Sequence, residues 1–160
     1  MKAILHVSLV SLFLLFSGCA TKQPIHTSTP YLITLKTPQM AFSDTGFINQ
    51  GDAYTQLQIF SAGALLLNLE MAQSICLDGT CLDKSDFNQR FFGTKHYETM
   101  MSDIVHQRAI YEGKNRVEIE NGFAQEIDLS DVKIHYRVEK GNVTFKESVY
   151  GILIRLKPLQ

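Results

Sequence analysis

Three cysteines carry most of the chemistry open to this chain. Two of them, Cys76 and Cys81, bracket Leu77-Asp78-Gly79-Thr80. Asp-Gly is a favoured two-residue hairpin loop. With Asp78-Gly79 as that loop, Leu77 faces Thr80 and Cys76 faces Cys81. A non-hydrogen-bonded pair of this kind brings the Cα atoms to about 4.5 Å, near the lower end of disulfide range. A Cys76–Cys81 disulfide is therefore expected, and its main effect would be to pin the register of the hairpin. A zinc site needs more ligands, and no other His or Cys lies nearby in sequence. A redox pair usually shows Cys-x-x-Cys rather than this wider spacing. His96, His106 and His135 are scattered and read as surface or helix-end histidines. No Gly-x-Ser-x-Gly, His-Glu-x-x-His or phosphate loop occurs. The sequence thus offers no catalytic residues, no metal ligands and no cofactor site.

The third cysteine, Cys19, follows a different pattern. Lys2 precedes the apolar run Ile4 to Phe16, which is too short for a permanent membrane span of about 20 residues. It has the length of a secretory signal core. The run ends in Phe16-Ser17-Gly18-Cys19, which resembles the lipobox of bacterial lipoprotein signal peptides. The resemblance implies removal of a signal peptide, residues 1–18, and acylation of Cys19 with diacylglycerol and palmitate-type chains. Several chains together give stable anchoring, at about 0.8 kcal/mol per buried CH₂. Ala20, where Asp would signal inner-membrane retention in that family, implies a lipid anchor in the cell outer membrane with the domain facing the periplasm. Such an oxidising compartment permits the disulfide.

The rest of the chain fits one domain. Residues 19–30 are polar with two prolines and read as a lipidated flexible tether, and residues 31–160 as a single globular unit. The formal net charge is only −1. That balance predicts no nucleic-acid footprint and no polybasic patch for anionic lipid.

From Tyr31 the pattern is mostly strand. Residues 31–36, 39–44, 54–61, 64–70, 74–77 and 80–82 form a first meander, with Asp44-Thr45-Gly46 closing its second strand. Residues 116–120, 123–127, 132–138, 143–146 and 151–157 form a second, with turns at Asn121-Gly122 and Gly141-Asn142. Between them the spacing predicts a helix over 85–92 and another over 95–106. The expected class is α+β: a curved, half-barrel-like antiparallel sheet with one or two short helices inserted between two meanders.

The run Leu65-Leu66-Leu67 breaks the alternation of a half-solvated strand. Either the strand is buried on both faces, or an apolar residue is left for a ligand or membrane. Leu65, Leu66, Leu67, Phe60, Met100 and Met101 are the candidate acyl-chain or membrane contacts, because Met adapts to irregular apolar partners.

The element order also resembles the LolA/LolB-type outer-membrane lipoprotein carriers and acceptors. The similar stretches are Ser61-Ala62-Gly63-Ala64-Leu65-Leu66, Tyr97 to Val105, and Gly122-Phe123-Ala124-Gln125 leading into Ile134-His135-Tyr136-Arg137-Val138. The resemblance implies a half-barrel plugged by helices, an apolar cavity for acyl chains, and Leu65 or Leu66 as the residue touching the membrane. The residues alone favour a non-catalytic structural or interaction role in the cell envelope. The resemblance implies an acceptor of lipoprotein acyl chains. Expected partners are the membrane, through the N-terminal lipid, and other lipoproteins or envelope proteins, with no nucleic acid.

Overall fold

The computed structural model describes residues 25–130 and 132–159. The signal segment 1–18 and Cys19 lie outside the described residues. Eleven strands run in chain order as β1 Thr27–Lys36, β2 Ala41–Gln50, β3 Thr55–Ser61, β4 Ala64–Met71, β5 Ile75–Leu77, β6 Thr80–Leu82, β7 Arg116–Ile119, β8 Gly122–Leu129, β9 Val132–Glu139, β10 Asn142–Glu147 and β11 Leu153–Pro158. Two short helices, α1 Lys84–Phe92 and α2 Met100–Val105, and a 3₁₀ turn at Tyr111–Gly113 separate β6 from β7.

All eleven strands form one sheet in the order β6-β5-β4-β3-β2-β1-β11-β10-β9-β8-β7. Every neighbouring pair is antiparallel. The two expected meanders are present, but they are fused: β1 pairs with β11 from Tyr31↔Pro158 to Lys36↔Leu153. The sheet does not close, so β6 and β7 are its edges. The helices are fewer and shorter than a balanced α+β fold implies, and the protein is mostly antiparallel sheet.

Alternation along the strands sorts the apolar side chains onto one face. Ile33, Leu35, Ile48, Leu57, Ile59, Leu67 and Leu69 are all at most 2% exposed on that inner face. The helical connection covers them. In α1, Phe87 and Phe91 sit one turn apart and stack at 5.3 Å, while Phe92 meets Phe145 of β10 edge-on at 5.7 Å. Met100, Met101 and Ile104 of α2 are likewise fully buried. Burying each such side chain stabilises by about 1.5–3 kcal/mol relative to exposure.

Several expectations are corrected. β1 begins at Thr27, so part of the segment read as tether is strand; Thr27 to Pro30 pair with Ile48 to Gln50 and Phe47 of β2. β2 runs straight through Asp44-Thr45-Gly46. Gly46 is needed for close approach, since a Cβ there would lie 2.0 Å from the Gln58 carbonyl oxygen. Gly122 is similar, with a Cβ 2.0 Å from the Val138 oxygen. It therefore opens β8 opposite Ile119, and the loop is Glu120-Asn121. The next loop is Lys140-Gly141, because Asn142 pairs with Glu139. The second helix is only six residues long. Residues 95–99 stay out of it while Asn88 Nδ2 donates to the Tyr97 carbonyl at 2.8 Å and His96 packs edge-on against Phe92.

Candidate functional site

The β3–β4 hairpin is built as its sequence requires. Ala62 and Gly63 both take positive φ, 48° and 82°, giving a two-residue turn that suits the strand twist. Below it the register slips. Ile59 pairs with Leu67, yet Phe60 pairs with Leu65, so Leu66 is an extra residue on β4. This bulge resolves the triple-leucine run. Leu67 keeps its place in the core at 2% exposure, whereas Leu65 and Leu66 are 49% and 43% exposed. Leu67, expected as a candidate acyl-chain or membrane contact, is thus a core residue.

Phe60 shares the outer face with Leu65, its direct partner. It meets Phe47 of β2 edge-on at 5.9 Å. Phe47 and Leu32 are also exposed. Leu32 faces Thr45, one residue from the Gly46↔Ile59 pair, which brings it into the same outer patch. Sequence reasoning missed Leu32 because its strand position is outward-facing only in the register that β1 takes beside β2. A buried amide ladder bounds the patch on the other side. Asn49 Nδ2 donates to Gln56 Oε1 at 3.0 Å, and Gln56 Nε2 donates to Asn68 Oδ1 at 2.8 Å.

Cys76 and Cys81 are register partners and form a disulfide, with Leu77 opposite Thr80. Asp78 and Gly79 take positive φ as the turn requires. Asp78 also accepts a hydrogen bond from the Asn68 backbone N–H at 2.8 Å, fastening the hairpin to β4.

Met100 and Met101 are 0% and 1% exposed. They fill the space between α2 and the sheet and do not line an open cavity. An apolar cleft of about 290 Å³ lies between the β1–β2 turn, the disulfide hairpin and α1. Met40, Leu77, Leu82, Phe87 and Phe91 form its walls, with Arg90 and Asp78 at its border.

The histidines take unlike positions. His96, expected at the surface, is buried beside Phe92, and its Nδ1 hydrogen-bonds the Tyr111 hydroxyl. Burial pushes its imidazole down to about 4 and pushes the Tyr111 hydroxyl up to about 12. His106 ends α2, with Nδ1 2.7 Å from the Ser102 carbonyl and Nε2 3.0 Å from Thr55 Oγ1, which ties α2 to β3. His135 pairs with Glu126 across β8 and β9 on the outer face. Among the described residues, no group of three or more His, Cys, Asp or Glu is placed to hold a metal, and no helix is long and apolar enough to cross a membrane. No family model matches the chain, and no curated protein sequence matches it.

Proposed function

We propose that the protein is a lipoprotein anchored in the outer membrane through Cys19, with its domain in the periplasm, and that it acts there by binding rather than by chemistry. The observation that carries this reading is the β3–β4 tip, where a bulge holds Leu65 and Leu66 in solvent directly beside a buried Leu67. Adjacent exposed leucines cost solvation and are kept where a partner or membrane covers them. The filled inner face, with Met100 and Met101 sealed in it, favours an interaction role over a carrier with a standing cavity.

A second reading is a LolB-like acceptor of acyl chains. It draws support from the open antiparallel sheet whose inner face is plugged by helices, and from the apolar cleft beside α1.

Leu65→Glu combined with Leu66→Glu tests both. The variant should stay folded, because neither residue is in the core. Mislocalised lipoproteins in cells carrying it support the acceptor reading. Intact lipoprotein sorting with loss of a native-gel envelope complex supports the interaction role. If sorting, complexes and bound lipid are all unchanged, both readings fail. Labelled palmitate that never appears on the protein removes the anchor.

A further inference from the structure

The outer face of the four middle strands is sorted by charge in a way that the near-zero net charge conceals. Outward positions alternate with the buried Ile33, Leu35, Ile134, Phe145, Ile154 and Leu156. They carry the cations Lys36, Lys133, Arg137, Lys146, Arg155 and Lys157, and one carboxylate, Glu139. Arg137 is paired with Glu139 at 3.0 Å and Lys133 with Asp128 at 3.9 Å. Lys36, Lys146, Arg155 and Lys157 are exposed and form no ion pair among the described residues.

The register places these four cations in three successive cross-strand rows. Lys36 and Lys146 flank Leu153, Arg155 lies between Thr34 and Thr144, and Lys157 sits beside Leu32. Strand spacing sets Lys36 and Lys146 about 10 Å apart, and the rows about 7 Å apart. An open cleft of about 420 Å³ at the row of Lys36, Leu153 and Lys146 is lined by Lys36, Lys133, Lys146 and His135, together with the carboxylates Glu126, which pairs with His135, and Glu147, which is buried and accepts from the Val149 and Tyr150 backbone N–H groups. Through the Leu32↔Lys157 pair, the basic stripe runs without a gap into the apolar patch of Leu32, Phe47, Phe60 and Leu65.

We propose that this face docks on an anionic lipid surface, with phosphate headgroups against Lys36, Lys146, Arg155 and Lys157 and the apolar patch entering the headgroup layer. The cations do not converge on one point, as a site for a single phosphate would need. They are spread over a sheet face, which complements an array of charges. Apolar side chains at the same level add area that a membrane interface can bury. The proposal draws on the reading above for a bilayer beside the domain. Its test uses neither the lipid anchor nor the leucine tip, so the two fail separately.

The mature chain from residue 19, carrying Cys19→Ser, is mixed with phosphatidylcholine vesicles with and without phosphatidylglycerol. Co-sedimentation is expected only with the anionic vesicles, and it should weaken at high salt. Replacing the four cations together (K36Q, K146Q, R155Q, K157Q) should weaken it on the order of 10²–10³-fold. A control with the same change in net charge elsewhere (K84Q, K95Q, K114Q, K140Q) should bind like the parent. All four replaced residues are exposed, so near-ultraviolet circular dichroism should report an unchanged fold. No binding to anionic vesicles overturns the proposal, as does equal binding to neutral vesicles or an equal loss in the control. So does dependence on an acidic envelope protein in place of lipid.

Discussion

At Gly46 two strands approach so closely that a methyl group has nowhere to go. The nearest obstacles are the Gln58 carbonyl oxygen at 2.0 Å and Ile33 Cδ1 at 2.7 Å, one of them backbone. Gly46→Ala is therefore expected to cost at least the ~1–3 kcal/mol of ordinary overpacking, read as a lowered urea midpoint. His96 makes a second prediction. Its imidazole titrates near 4 in the folded protein because it is desolvated, against about 6.5 in an unfolded chain. Between those pH values the unfolded chain binds a proton that the folded one does not. Stability is complete above about pH 6.5 and is lost as pH falls toward 4, by on the order of 3 kcal/mol at most. Chemical denaturation across this range should show a flatter slope in His96→Gln; an unchanged slope overturns the assignment. The leucine run could be flagged from sequence as breaking alternation. Which leucine faces inward could not, because that depends on where β3 and β4 slip register.

At the scale of elements, the hairpin Ile75 to Leu82 was legible because its turn dipeptide and its cysteines agree on one register. The disulfide closes a small loop, so removing it with Cys76→Ser and Cys81→Ser should cost about 2 kcal/mol by chain entropy. Equilibrium unfolding of the oxidised and substituted proteins measures this, and equal midpoints would show that Asp78 and β4 already fix the hairpin. Other turns were less legible. Glycines at 122 and 46 looked like loop residues, yet each serves a neighbouring strand that no local pattern reveals. The helix over 95–106 failed for a related reason. Its apolar spacing was sound for Met100, Met101, Ile104 and Val105, but the preceding turn was taken by side-chain contacts from Asn88 and Tyr111.

At the scale of the molecule, the number and type of strands could be read from alternation, but their global order could not. Nothing local shows that β1 lies beside β11, and the fused sheet depends on it. The placement of charge depends on the same strand order. A balance of −1 does not reveal that Lys36, Lys146, Arg155 and Lys157 from β1, β10 and β11 share one face without an ion pair among the described residues, while nearby carboxylates are paired with other residues. If residues 19–26 tether the domain to a lipid, their reach suits the proposed docking. From Cys19 to Thr27 the chain can span at most about 28 Å. Leu65 lies level with Leu32, about 17 Å along the strand direction from Thr27. A lipid at Cys19 would therefore let the outer face lie flat on the bilayer that holds it. Shortening the tether by deleting Lys22 to Pro24 should impair this contact only in the lipidated protein, as seen by vesicle-protection proteolysis.

The seam between β1 and β11 has a consequence for how the protein is made. A chain threaded outward from its first residue lays down β1 and its neighbour β2 early, but the other neighbour of β1 is the last strand to emerge. Until then one unpaired rim waits at the heart of the future sheet, and the newly formed halves cannot lock. Completion of the sheet is thereby timed to the emergence of β11, and a chain that lacked this last strand would keep its two halves unjoined.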